Sequence, residues 1–187
     1  MAKRPLAGRC FVVYRRAMSD WNARRILKEL ADPDTRRAVL ADFWRYGETQ
    51  AKLLAQMHLA RTLHFRDETI RKMSPEKKAD LLASRIGVAE FDQFLDVGLL
   101  QYHTHHAAKL MGAFLDQWGV PHTDGSIESD DYTVPDPAKV RASVTALEGQ
   151  FDRKDVLLYL ATAGALMGDD WSAATWPVVD EMTTAAP

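Results

Sequence analysis

Apolar residues recur along most of the chain at the three-to-four-residue spacing that lines one face of a helix. After Asp32-Pro33, an Asp cap with proline at the first helical position, Val39, Phe43, Tyr46, Leu54 and Met57 keep that phase. They predict a helix to about Phe65, with Gly47 as its weak point. Ser19 is placed to cap an earlier helix from about Asp20 to Leu30. Ser74-Pro75-Glu76 opens a third, closed near Ile86 by Gly87. Glu90 to Trp118 reads as one long helix, stopped by Gly119 and Pro121. Asp136-Pro137 starts the next, to about Phe151, and Asp152 leads into VLLYLATAGALM, which ends at Gly168. A short final helix follows Asp170 and meets Pro177. Val12, Val13 and Tyr14 form the one β-leaning run, and one strand makes no sheet.

The pattern predicts an all-α fold: a helical bundle of six or seven helices in a single domain spanning 1–187. Residues 1–118 form its main helical part, 119–136 a long acidic loop, and 137–187 a smaller C-terminal helical part. From Gly119 to Pro135 the loop holds four Asp/Glu, with His122 as its one candidate cation.

Composition adds little until it is divided by position. The 187 residues carry 24 Lys+Arg and 26 Asp+Glu, a formal net charge of −2, within the ordinary range for a globular protein. The first 92 residues, however, hold 19 basic and 12 acidic side chains, whereas the remaining 95 hold 5 and 14. A basic front half is joined to an acidic back half. No apolar run is long enough to span a bilayer, and the FVVY stretch is too short for a signal peptide, so the chain is expected to be cytoplasmic and free of membranes. The single Cys10 excludes an internal disulfide and a Cys-based metal cage.

The candidate chemistry lies in the histidines. All six fall between His58 and His122, three of them in Tyr102-His103-Thr104-His105-His106. At 100° per residue, His103 and His106 join the arc of Leu95, Leu99, Leu110 and Phe114, and His105 points outward. Asp92 and Asp96 share that apolar arc, and His58 lies toward the apolar side of its own helix. Buried imidazoles and carboxylates are costly unless paired, hydrogen-bonded or metal-bound. His58, Asp96, His103 and His106 are therefore candidate ligands for zinc or iron, and His103, His106 and Asp96 candidate acid/base residues. A plainer reading takes them as hydrogen-bonded core residues. It is preferred because neither Glu-x-x-His nor His-Glu-x-x-His occurs.

Other motifs weaken on inspection. Asp124-Gly125-Ser126-Ile127 with Asp131 overlaps half of an EF-hand loop, but Val120 and His122 would occupy its first and third ligand positions. A turn at Asp-Gly is the simpler reading. Lys3, Arg4, Arg9, Arg15, Arg16, Arg24, Arg25 and Lys28 form a basic stretch suited to phosphate contacts, against an overall pI of about 6.3. No nucleophile elbow, phosphate loop or dinucleotide fingerprint is present. Trp171 and Trp176 are expected to fill core or to dock the tail or a partner.

Ala113-Phe114-Leu115-Asp116-Gln117-Trp118-Gly119-Val120-Pro121-His122-Thr123-Asp124-Gly125, with the later Pro135-Asp136-Pro137-Ala138-Lys139 and Val156-Leu157-Leu158-Tyr159-Leu160, is similar to a pattern in uncharacterised bacterial all-helical proteins. The resemblance covers about the last 80 residues. It implies a helical fold and transfers no site. The expected function is a protein-interaction module that associates, with itself or another protein, through charge-complementary surfaces. The alternatives are a helical-bundle metal-binding or acid/base enzyme using the His/Asp cluster, and a nucleic-acid binder using the basic N-terminal region.

Overall fold

The computed structural model describes residues 21–129 and 131–184. Ser19, Cys10, Val12 to Tyr14 and the basic residues Lys3 to Arg16 lie outside them. The described chain is predominantly helical, with α1 (Ala23–Glu29), α2 (Pro33–Tyr46), α3 (Thr49–Thr62), α4 (Asp67–Arg71) and α5 (Pro75–Ala83) in its first half. A 3-10 turn, Ala89–Phe91, precedes α6 (Asp92–His106) and α7 (Ala108–Trp118). A small antiparallel hairpin, β1 (His122–Thr123) and β2 (Ser126–Ile127), leads to α8 (Pro137–Leu147), α9 (Arg153–Leu166) and α10 (Asp169–Thr184).

Side-chain caps set five of the ten helix starts described. Asp32 accepts from the Thr35 amide at 2.8 Å, Asp136 from Lys139 at 2.7 Å, Asp152 from Lys154 at 2.8 Å and Ser74 from Lys77 at 3.4 Å. Each satisfies an amide that the first helical turn leaves without a partner. Asn22 does the same for α1, which starts three residues later than the expected Asp20.

Among the described residues ten helices replace the six or seven expected: the pattern does not predict the short α4, and two long patterns each contain a break. The first comes at Gly47, whose backbone (φ −59°, ψ 157°) leaves the helix and separates α2 from α3. There the chain turns so closely on itself that a Cβ would lie 2.5 Å from the Phe43 carbonyl oxygen. The second is at Ala107 (φ −121°, ψ 17°), between α6 and α7. The expected loop is also more ordered than a connector: Asp124 and Gly125 both take positive φ, 50° and 82°, and make the two-residue turn of the hairpin. Tyr132 in the same segment accepts a hydrogen bond from Trp171 Nε1 at 3.2 Å. α10 runs through Pro177 rather than ending there. The lost hydrogen bond is that of the Ala173 carbonyl, and both residues lie on the exposed face of the helix.

One continuous apolar cluster reaches from Trp21 to Met182. α2 packs against α5 and α6, α1 against α6 and α9, and α10 against α8 and α9. Trp171 and Trp176 are core residues: Trp176 stacks on Trp21 at 6.0 Å and Trp171 lies 5.2 Å from Trp118. No helix among the described residues is long and apolar enough to cross a membrane.

Candidate functional site: a histidine-lined cleft at the break between two helices

The interruption at Ala107 decides where the histidines go. Up to His103 the helical phase holds, and His103 is buried, 3% exposed. Its Nε2 lies 3.0 Å from Thr162 Oγ1 on α9. That hydroxyl donates its own proton to the Leu158 carbonyl at 2.8 Å, so its oxygen accepts and His103 carries the proton on Nε2. Nδ1 then holds a lone pair, and it has no hydrogen-bond partner. Burial pulls the pKa of His103 down to about 3, which keeps the ring neutral.

His106 sits at the last position of α6, where the helix no longer constrains it to the core. It is half exposed and stacks on Tyr102, with ring centroids 5.0 Å apart. Its Nε2 lies 2.7 Å from Oδ2 of Asp42, a fully buried carboxylate on α2. The contact is close, but that oxygen has no partner in hydrogen-bond geometry. Oδ1 of Asp42 accepts from Arg45 Nη1 at 3.1 Å, and Arg45 Nη2 reaches Glu76 at 2.6 Å. The result is a row of polar contacts, Glu76, Arg45, Asp42 and His106, ending at solvent. Glu76 is held down to about 2 by hydrogen bonds from its own backbone and from Arg45. Arg45 is raised in turn by Glu76 and Asp42.

Around the break lies an open cleft of about 470 Å³, walled by His103, His105, His106, Leu110 and Leu158, with Tyr102, Lys109, Phe151 and Asp155 also lining it. His105 stacks on Tyr46 at 3.7 Å between centroids. Asp155 is pushed above the usual carboxylate range by burial, then by the negative charges of Asp152 and Asp32. Burial and the charge of Asp155 raise the Tyr102 phenol.

The four residues singled out as ligands are not gathered into one cluster. His103 and His106 share the cleft. His58 packs instead on α3 against Phe91 and Phe94, at 6.2 and 6.0 Å. Asp96 lies seven residues before His103, about 10 Å along the helix axis. Among the described residues, no group of three or more His, Cys, Asp and Glu side chains is placed to hold a metal ion. The carboxylate beside His106 is Asp42, which periodicity hides because it falls within the buried stretch Val39 to Trp44. The available signal was a charged residue inside an apolar helix face. Asp92, on the same arc as Asp96, takes Arg24 in a two-pronged pair, at 2.7 and 2.6 Å from Nη2 to its two oxygens.

No protein-family model, curated protein or solved structure matches this chain.

Proposed function

We propose that the protein is a cytoplasmic interaction module that associates with a second copy of itself through charge-complementary surfaces. The observation that carries this reading is the outward face of α3. Leu53, Leu54 and Met57 fall within one 100° arc of that helix and are 51%, 41% and 60% exposed. Isolated exposed leucines are ordinary, but three large side chains on one arc form an adhesive stripe. Lys52 and Arg61 flank it on the same helix and make no ion pair among the described residues. The acids of neighbouring α4 are already engaged: Glu68 by Arg71 and Lys72, and Asp67 by Gln56.

The acidic half supplies a matching patch at the turn from α9 to α10, where exposed Met167 stands beside Asp169 and Asp170. Seating that patch on the α3 stripe of another copy gives a head-to-tail contact. Sedimentation velocity at low salt, with wild type and a Leu53→Asp/Met57→Asp variant, tests it. Wild type is expected to form species larger than one chain that dissociate as salt rises, and the variant to stay a monomer. A monomeric wild type at low salt overturns the reading.

A second reading, acid/base catalysis at His106 oriented by Asp42, is favoured by the 2.7 Å contact alone. Its test is cleavage of 4-nitrophenyl acetate, expected to exceed free imidazole and to fall to background in His106→Asn. Equal rates in both proteins would end it. A zinc or iron version would need ligands beyond His103 and His106. The nucleic-acid reading loses two of its residues: Arg24 is committed to Asp92, and Arg25 pairs with Glu29 and covers the Trp21 ring at 4.1 Å.

A further inference from the structure

We propose that Met57 and Met167 are a pair of oxidative modification sites, and that their conversion to methionine sulfoxide by a hydroperoxide separates self-associated chains. The inference rests on the self-association reading, because the two side chains stand in its two opposing patches. Met57 lies in the α3 stripe, and Met167 beside Asp169 and Asp170. Exposure singles them out. Of the five methionines among the described residues they are the two exposed ones, at 60% and 38%. Met182 is 8% exposed and belongs to the apolar core. Met73 and Met111 are partly covered, and Met111 packs so closely under the hairpin that a Cβ on Gly125 would lie 2.6 Å from its own Cβ. Met167 closes α9, and a Cβ on the adjacent Gly168 would meet nothing within 4 Å, so solvent reaches this turn freely.

The chemistry needs no activation by the protein. The thioether sulfur attacks one oxygen of the hydroperoxide: an S–O bond forms and the O–O bond breaks. Sulfur gives up two electrons, and the leaving oxygen takes the proton and departs as water or an alcohol. The free chain offers both sulfurs to the oxidant, whereas the contact covers them. Oxidation therefore draws on the dissociated chain and holds it there. The product changes both patches. A thioether is soft and apolar, but a sulfoxide carries an acceptor oxygen that loses its hydration on entering a contact. Next to Met57, Leu53 and Leu54 have no side-chain donor to give it, and Lys52 and Arg61 serve the carboxylates across the proposed contact. Next to Met167, Asp169 and Asp170 are themselves acceptors.

The test treats the wild-type chain with graded doses of hydrogen peroxide. Peptide mass spectrometry reads sulfoxide at each methionine, and the same samples are run by sedimentation velocity at low salt, with the melting temperature followed in parallel. Met57 and Met167 are expected to oxidise at least about tenfold faster than Met182, and association to weaken about tenfold or more as they do, at an unchanged melting temperature. Methionine sulfoxide reductases supplied with dithiothreitol should restore association. Dithiothreitol alone, which reverses disulfide formation at Cys10, should not. Chains that carry both sulfoxides and still associate as untreated ones do would overturn the inference and leave the self-association reading in place. So would oxidation that reaches Met73, Met111 or Met182 first, a melting temperature that falls together with the association, recovery in dithiothreitol alone, or no recovery with the reductases. A wild type that is monomeric before any peroxide is added overturns that reading and this inference together.

Discussion

Helices α3 and α9 are each 14 residues long and rich in alanine and leucine, yet the fold treats them in opposite ways. α9 is enclosed. From Val156 to Gly164 nearly every position is buried, and α10 comes so close that a Cβ on Gly164 would collide with Thr175 Oγ1 and the Trp176 ring. α3 buries Ala55, Gln56, Leu59 and Ala60 and turns Leu53, Leu54 and Met57 to water. The difference teaches that apolar content alone does not place a helix. Small residues let a second helix approach α9 closely, whereas on α3 Leu59 joins two alanines and Gln56 on the inward face, and Leu53, Leu54 and Met57 are left over. A side chain that stabilises nothing in the monomer is available for a partner.

This contrast can be broken most forcefully in α9. Gly164→Val puts a branched side chain into the contact with Thr175 and Trp176 and should cost about 3 kcal/mol, read from urea unfolding. A loss below about 1 kcal/mol would show that α10 is not tightly seated. Arg45→Met comes next. It leaves the buried Asp42 carboxylate with only the half-exposed His106 imidazole beside it, and should cost about 2 kcal/mol by the same measurement.

His103 gives a smaller effect, visible in pH dependence. Its pKa in the fold, about 3, lies below the unfolded value of about 6.5, so the unfolded chain takes up a proton that the folded chain refuses. Stability is therefore complete above about pH 6.5 and falls with acidification toward pH 3, by up to about 1.4 kcal/mol per pH unit. His103→Leu should remove that slope between about pH 5 and 6.5, where most carboxylates remain ionised. An unchanged slope would place the proton elsewhere. The smallest change in stability belongs to α3: Met57→Asp should shift unfolding by no more than about 0.5 kcal/mol, because its side chain is already in water.

Much of this architecture was readable in the chain. Asp32-Pro33, Ser74-Pro75 and Asp136-Pro137 mark helix starts because cap and proline act within a few residues. The Asp-Gly turn was readable for the same local reason. The breaks at Gly47 and Ala107 were not resolved by periodicity, because α3 and α7 each resume a helical pattern directly afterward and only tertiary packing fixes the change of direction. α10 passing Pro177 depends on which face meets water, another tertiary fact. Of the histidine cluster, the burial of His103 followed from its phase. The partnership of His106 with Asp42 joins residues 64 positions apart on different helices. No spacing rule links them. Tyr102 and Asp155 likewise meet in the cleft only through the packing of α6 and α9.

The outward face of α3 is the centre of the functional account, and sedimentation velocity tests it most directly. Wild type, Leu53→Asp/Met57→Asp and Asp169→Lys/Asp170→Lys are compared at low and at physiological salt. The account predicts association in wild type that weakens with salt, and monomers for either variant alone. An Arg61→Glu chain mixed with the Asp169→Lys/Asp170→Lys chain should recover part of the association, because the charges across the contact are then exchanged. A wild type that sediments as a monomer at low salt, or variants that associate as strongly as wild type, would contradict it.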